Sequence, residues 1–567
     1  MPDCVALLPR SSLAYYCRAM TTHALQKNPT HAPLAGPLVV VVMDGVGIGR
    51  QDRGDAVWLA ETPNLDRLAA GSWVKLKAHG KAVGLPSDSD MGNSEVGHNI
   101  LGAGRVFPQG ATRVQQALDS GRLFEGSCWS WLLEPLKDSD SALHLIGLLS
   151  DGNVHSQQQH LHRLLRQSAR EGVRRAYVHV LLDGRDVAAT SALDYLAPLE
   201  ELLSSLRADG ADFRIASGGG RMITTMDRYG ADWSIVERGW QAHVLGSGRR
   251  FSSAEEAVLT YRSERPGIGD QYLPPFVVAD SGGAESRPVA TIEDGDSVVL
   301  FNFRGDRALE VSQAFVEDDF THFDRVRHPQ VRYAGMMQYD GDLKMPPRFL
   351  VQPSVIDNTL GELLAAAGVS QFACAETQKF GHVTFFWNGN RSGMFDEQLE
   401  EYVEIPSDRL PFDQAPQMKA REVTAEVLRA LRRPQAPRFL RVNYANGDMV
   451  GHTGNLEASV RAVESVDAVL GELLAELELL GGAALVTADH GNADQMFRWD
   501  EQSGAYLDEP LTSHTLNPVP LYLFDPAHNR QLVAGAENSL GNLASTVLEL
   551  LGFEAPAEYL PSLLASR

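Results

Sequence analysis

Residues 38–43 read Leu-Val-Val-Val-Val-Met and stop abruptly at Asp44-Gly45. Two further stretches repeat the pattern. Ala483-Ala-Leu-Val-Thr-Ala488 ends at Asp489-His490-Gly491, and Phe439-Leu-Arg-Val-Asn-Tyr444 leads through Ala445-Asn446-Gly447 to Asp448. A short Val-rich run that turns polar at once is the mark of a strand buried on both faces of an α/β sheet. In such sheets ligands collect beyond the carboxyl ends of the strands, which is where these acidic residues fall. A helix is predicted after Thr453, because Leu456, Val460, Val463, Val466, Leu470, Leu473 and Leu477 recur close to the 3.6-residue period. Thr453 or Asn455 can cap its start, and Gly481-Gly482 can end it.

Asp44 is far in sequence from Asp448 and Asp489, yet all three are strand-end residues of one kind. If they share a site, the middle of the chain is an insertion. The expected division is a first domain made of residues 37–111 and 348–567, interrupted by a second domain over 112–347. Met345-Pro346-Pro347 would mark the return. Residues 1–36 are expected to form a disordered extension. A chain of 567 residues is too long for one ordinary core, so two domains suit its length.

The formal charge of −23 argues against nucleic acid and anionic lipid as partners. No apolar run reaches the length of a bilayer crossing. Four cysteines (Cys4, Cys17, Cys128, Cys374) form no CxxC pair, which fits a reducing compartment and speaks against a thiolate metal site. A cytoplasmic monomer is expected. Residues 1–36 carry only Asp3 against Arg10, Arg18 and Lys27, so organelle targeting is a weaker second reading.

Several segments carry chemistry. In Asn446-Gly-Asp-Met-Val-Gly-His452, Asp448 and His452 are four apart and would share one side of a helical turn. With Asp44, Asp489, His490 and His514 they make three carboxylates and three imidazoles, a mixed oxygen and nitrogen donor set that suits Mn²⁺, Zn²⁺ or Co²⁺ better than Mg²⁺. Ser94, in Asp90-Met-Gly-Asn-Ser-Glu-Val-Gly-His98, precedes an apolar helical pattern. At a helix N-terminus it would meet backbone N–H groups that favour phosphate, and a nearby cation could activate its hydroxyl. His98 could serve as a base or simply pack on the helix face. A basic pocket is expected from turn segments holding His155, Arg185, Asp186, Arg221, Arg228, Arg304, Arg307 and Lys379, since arginine forks suit a small phosphorylated acid.

The strings VVMDGVGIG (41–49), DMGNSEVGH (90–98), LLSDGNVHS (148–156), LDGRDV (182–187), SGGGRMITTMDRY (217–229), FNFRGDR (301–307), ETQKFGHVTFFWNG (376–389), NGDMVGHTG (446–454), TADHGN (487–492) and TSHT (512–515) resemble, in order, those of cofactor-independent phosphoglycerate mutases. That resemblance runs from about residue 38 to near the C-terminus. It implies an alkaline-phosphatase-like mixed-sheet α/β domain interrupted by an α/β phosphotransferase domain. It further implies that Asp44, Ser94, Asp489 and His490 hold one divalent metal and Asp448, His452 and His514 another, with Mn favoured over Co or Mg. Ser94 would be the nucleophile, Lys379 and Asp186 catalytic groups, and the basic segments the pocket for 3-phosphoglycerate and 2-phosphoglycerate. Residues 1–36 fall outside the resemblance. The competing readings are a metal-dependent phosphatase or another mutase on the same metal core, such as phosphopentomutase, and a non-catalytic binding protein. The arginine set speaks against a plain phosphatase, and the complete set of ligands speaks against the binding protein.

Overall fold

The computed structural model describes residues 24–565, except 30, 138, 208–209, 228–231, 281–285, 342, 501–502, 529 and 536–537. Among these residues, seven strands form a first sheet. Their spatial order is Glu400–Ile405, Gln371–Glu376, Phe439–Tyr444, Leu38–Met43, Ala483–Thr487, Val519–Phe524 and Ser72–Leu76. The first five run parallel, while Val519–Phe524 pairs antiparallel with both of its neighbours. The three strands expected from the sequence lie side by side at the centre and are fully buried, as their unbroken apolar runs require. Register sets the chemistry. Met43 pairs with Tyr444 and Val42 with Thr487, so all three strands stop at one level and their acidic successors emerge together.

A second sheet of eight strands has the order Phe349–Val351, Arg332–Met337, Ser297–Leu300, Leu143–Leu149, Arg175–Leu182, Asp212–Gly220, Phe276–Val278 and Arg249–Phe251. Its central strands are also parallel. Each sheet has its own core. One draws on Leu34 to Leu101 and Leu360 to Leu563, the other on Ala111 to Val351. The return to the first core therefore falls later than 347, because Phe349–Val351 still pairs with Gly335 and Met337.

The expected disordered extension also needs correction between Lys27 and Leu34. Leu34 is buried in the first core, Lys27 bridges Phe553, and His31 Nδ1 lies 3.0 Å from Glu549 Oε1. Apolar contact and backbone pairing with the C-terminal region thus hold this stretch. Residues 1–23 lie outside the described residues.

The predicted helix spans Leu456–Leu479. Asn455, rather than Thr453, is its N-cap, accepting from the Ala458 N–H at 3.1 Å, and Gly481 adopts the left-handed conformation (φ 61°) just past its end. Asp467 on this helix accepts the backbone N–H groups of Asn64 and Leu65, supplying the cap that the next helix, Pro63–Ala69, lacks locally. No described helix is long and apolar enough to cross a membrane. Leu470 is fully buried against the central sheet. Leu470→Ala should lower the stability of the first core by about 2–5 kcal/mol, read from the shift in its chemical denaturation midpoint.

Candidate active site

The aligned strand ends build the site. Asp44 follows Leu38–Met43, Asp489 and His490 follow Ala483–Thr487, and Asp448 opens the short helix Asn446–Gly451 after Phe439–Tyr444. A fourth neighbouring strand, Gln371–Glu376, runs directly into the helix Thr377–Gly381 that carries Lys379. Gly45 makes the convergence possible. It sits at φ 76°, and a Cβ there would fall 2.6 Å from the Asp448 backbone nitrogen. Ser94 is the first residue of the helix Ser94–Ala103, whose cap is Asn93 accepting from the Val96 N–H.

These groups meet with water excluded, every one of them being under 7% exposed. Ser94 Oγ lies 2.9 Å from His490 Nε2 and 3.3 Å from Asp44 Oδ1. Lys379 Nζ donates to Ser94 Oγ at 2.6 Å and to Asp44 Oδ1 and Asp448 Oδ2 at 2.7 Å each. On the other side, Asp448 Oδ1 is 3.0 Å from His452 Nε2 and 3.1 Å from His514 Nε2.

Two clusters of buried donors emerge, Asp44 with Asp489 and His490, and Asp448 with His490 and His514; His452 completes the second. The hydrogen bonding shows what they fit. His452 Nδ1 lies 2.6 Å from the Thr512 carbonyl and His514 Nδ1 lies 2.8 Å from the Gly92 carbonyl, so each ring carries its proton at Nδ1. Their unprotonated Nε2 atoms then face each other at 3.1 Å and both face a carboxylate oxygen. Three lone pairs aimed at one point repel unless a cation sits among them. Asp489 Oδ2 likewise is buried without a hydrogen-bond donor, since His98 Nδ1, 3.3 Å away, is directed at the Ser94 carbonyl at 2.8 Å. The residues fit divalent cations.

The electrostatics agree with this crowding. Burial, then the charge of Asp489, pushes the Asp44 carboxyl up to about 7 in spite of Lys379. Burial also opposes ionisation of Asp448, but the Lys379 ammonium overcomes it and holds that carboxyl well below the ordinary range. Burial, reinforced by Arg185, lowers His452 to about 3 and so keeps its imidazole neutral, the form that binds a metal.

The second sheet closes the other side by the same device. His155 follows Leu143–Leu149, Arg185 and Asp186 follow Arg175–Leu182, Arg221 follows Asp212–Gly220, and Arg304 and Arg307 follow Ser297–Leu300. They line one cavity together with Ser94, Lys379, Asp448, His452 and His514. Arg221 Nη1 bonds Asp183 Oδ1 at 2.7 Å and also Asp186 Oδ2. Burial works against the Asp186 charge, yet Arg221 outweighs it and holds the carboxyl far below its usual value. Arg307 Nη1 donates to the Met226 carbonyl at 2.6 Å. Arg228 lies outside the described residues.

Other residues in and around the site were not singled out from the sequence. Asn443 Nδ2 donates to Asp44 Oδ2 at 2.7 Å, and Asn492 Nδ2 to Asp448 Oδ1 at 3.1 Å. Asp306 Oδ1 stands between Arg304 Nε (3.1 Å) and His155 Nδ1 (3.6 Å), and Glu95 Oε2 reaches Arg304 Nε across the domains at 3.0 Å. An asparagine inside the buried run 439–444 was the available signal for Asn443. His98, fully buried with its ring nitrogens on the Ser94 carbonyl and near Asn443, packs and orients rather than facing the cavity.

A family profile described as the metalloenzyme superfamily matches residues 36–555. A probable 2,3-bisphosphoglycerate-independent phosphoglycerate mutase of Leptospira interrogans is 53% identical over 540 residues, covering 93% of this chain and 97% of its own length. The family now follows. The chain belongs to the 2,3-bisphosphoglycerate-independent phosphoglycerate mutases. Members from Trypanosoma brucei brucei and Arabidopsis thaliana are 50% and 49% identical, over 93% and 96% of this chain and 97% and 99% of their own lengths. The solved structure of Leishmania mexicana phosphoglycerate mutase at low cobalt concentration matches with a TM-score of 0.92 and 47% identity, covering 96% of this chain and all of that one. The chain is thus an enzyme of this mutase family. Because the facing Nε2 atoms of His452 and His514 call for a cation, chelation should lower the thermal unfolding midpoint. Adding back Mn²⁺ or Co²⁺ should restore it, by roughly 3–4 kcal/mol at several hundred times the dissociation constant, as followed by calorimetry.

Proposed function

We propose that the chain interconverts 3-phosphoglycerate and 2-phosphoglycerate without bisphosphoglycerate, through a phosphoserine at Ser94, as a step of glycolysis and gluconeogenesis. The observation that carries this reading is the setting of Ser94 Oγ. It stands at a helix N-terminus, 2.6 Å from Lys379 Nζ, in a cavity that Arg185, Arg221, Arg304 and Arg307 also line. A phosphatase has no need of so many guanidinium groups on a second domain; a mutase must hold the dephosphorylated glycerate until it is phosphorylated again.

Asp44, Ser94, Asp489 and His490 would hold one divalent cation, and Asp448, His452 and His514 the other. Manganese suits the mixed donors best, with cobalt or magnesium as alternatives. Bound there, the ions would supply Lewis acidity that eases deprotonation of a hydroxyl and offsets phosphoryl charge. The chain's own groups do the rest. Lys379 Nζ donates toward Ser94 Oγ and so favours the serine in its alkoxide form. The helix N-terminus adds backbone N–H groups to the phosphoryl oxygens. Arg304 and Arg307 grip phosphate, and Arg185 and Arg221 suit the carboxylate end. Asp186, held ionised beside Arg221, shuttles the proton of the accepting glycerate hydroxyl to the glycerate oxygen that loses its phosphoryl group to Ser94. The deep burial of all these side chains keeps water from the phosphoserine, which would otherwise be hydrolysed.

Purified protein should isomerise 3-phosphoglycerate without added bisphosphoglycerate, lose that activity on chelation and regain it with Mn²⁺ or Co²⁺. Free phosphate without isomerisation would instead make it a phosphatase. Ser94→Ala should reduce kcat by about 10⁴-fold or more while leaving the fold intact; turnover near the wild-type rate would remove Ser94 as the nucleophile. Arg304→Ala should raise KM about tenfold with little effect on the unfolding midpoint.

A further inference from the structure

Inside the second domain, away from the candidate metal ligands, lies a row of buried polar side chains that none of the proposed chemistry uses. His144 is on the strand Leu143–Leu149, His179 on Arg175–Leu182, Ser217 on Asp212–Gly220 and His243 at the end of the helix Trp233–His243. Asp296 stands at one end and Thr225 at the other, and all six are 5% exposed or less. The links are continuous. Asp296 Oδ2 is 3.1 Å from His144 Nε2, His144 Nδ1 is 2.9 Å from His179 Nε2, and His179 Nδ1 is 2.7 Å from Ser217 Oγ. Ser217 Oγ is 2.7 Å from His243 Nδ1, and His243 Nε2 is 2.9 Å from Thr225 Oγ1. The ring planes of His144 and His179 are nearly parallel, at 19°, with centroids 5.2 Å apart.

With one proton on each of the three imidazoles, the row has one direction. Burial holds His179 well below its usual value and His243 near 3, so each is neutral with a single N–H. Asp296 accepts the Ala142 N–H at Oδ1 and the Glu293 N–H at Oδ2, and its carboxylate can only accept from His144 as well. His144 must therefore carry its proton on Nε2. His179 then donates from Nε2, Ser217 donates to His179 Nδ1, His243 donates from Nδ1, and Thr225 donates to His243 Nε2. The opposite order would leave an unprotonated His144 Nε2 facing a carboxylate at 3.1 Å.

The far end of the row matters for substrate. Thr225 has φ 68°, a conformation that a β-branched residue rarely adopts and keeps only when its surroundings fix it. Its N–H bonds the Ile235 carbonyl at 2.8 Å, and the neighbouring Gly239 has no Cβ because one would lie 2.0 Å from Thr225 Oγ1. The next carbonyl along the chain, that of Met226, receives Arg307 Nη1. We propose that Asp296, His144, His179, Ser217 and His243 form a one-way hydrogen-bonded relay that fixes the Thr225 hydroxyl, so that Thr225 is a positioning residue for the Arg307 guanidinium in the pocket. The positioning role rests on the mutase reading above; the relay itself does not.

The test has two arms on the full chain. The first is ¹⁵N-histidine NMR of the protein without substrate. It should find His144 and His179 protonated at Nε2 and His243 at Nδ1, and the opposite tautomer at any one of them overturns the relay whatever reaction the enzyme catalyses. The second compares Thr225→Val, which keeps the shape and loses the hydroxyl, with Thr225→Ser, which keeps the hydroxyl. Thr225→Val should raise KM for 3-phosphoglycerate about tenfold with kcat changed by less than about threefold, and Thr225→Ser should stay within about twofold of wild type. An unchanged KM in Thr225→Val, or an equal rise in Thr225→Ser, overturns the positioning role. If Thr225→Val does not fold, Thr225→Ala is read in its place against the same limits: a tenfold rise in KM supports the positioning role and an unchanged KM overturns it.

Discussion

Gathering Asp44, Asp448 and Asp489 around one dry point is the constraint on which the rest of the molecule depends. Two like charges 4 Å apart repel by about 4 kcal/mol even in a fairly polar protein environment, and burial removes the water that would screen them. The first sheet imposes this arrangement, because its central strands are locked in register by side chains with no exposed surface. Positive charge must then be delivered to the same point. Lys379 does so from a neighbouring strand, with one ammonium touching two carboxylates and the serine. Its segment is held in turn. The wide helical turn His382–Phe386 follows it, and buried Arg441 donates from Nε to the Val383 carbonyl at 2.6 Å, tying that turn to the central strand.

One architectural rule is used twice. Each domain presents the carboxyl ends of parallel strands, and the two edges face each other across the cavity, one rich in carboxylates and imidazoles and the other in guanidinium groups. A protein of charge −23 handling an anion needs this kind of separation. On the proposed reading the long-range field would not attract a phosphorylated acid, so recognition would fall to short-range contacts with the buried guanidinium groups. The acidic residues near the arginines serve a related end. Asp183, Glu95 and Asp306 are within 3.1 Å of guanidinium nitrogens and hold the forks in place before any substrate enters.

The strand ends and the long helix were legible because buried parallel strands leave apolar runs and an amphipathic helix leaves its period. Asp44, Asp448, Asp489 and His490 could be read for that reason, and Ser94 could be placed at its helix from the apolar pattern behind it. Asn492 was not, since an asparagine that orients a carboxylate has the same local sequence as one in a turn; Asn443 left only its place inside a buried strand. Glu95 was missed for a different reason: its meaning lies in a contact between domains, while Asp306 acts by meeting His155, some 150 residues earlier in the chain, and no local pattern records either contact. The ordering of the stretch around His31 and Leu34 was hidden similarly, as both find their partners some 500 residues later in the chain, at the C-terminal helix Asn542–Leu550. The choice of Asn455 over Thr453 as the helix cap turned on a single backbone turn, below the resolution of periodicity.

Closure and turnover make opposite demands on the contacts between domains. On the proposed reading, a site that keeps glycerate would have to shut, and the same site would have to open to exchange product. Across the cavity the domains meet through a few polar links: Asn153 Nδ2 to Asp90 Oδ1 at 2.8 Å, Arg304 to Glu95 at 3.0 Å, and Thr512 Oγ1 to the Arg185 carbonyl at 3.5 Å. Each such link contributes on the order of 1 kcal/mol net, so none of them alone can clamp the site shut. The guanidinium groups gather on one domain and the serine with its carboxylates on the other. On the same reading, a phosphorylated acid that touches both would add attraction between the two domains, and closure would be strongest with the reacting groups together.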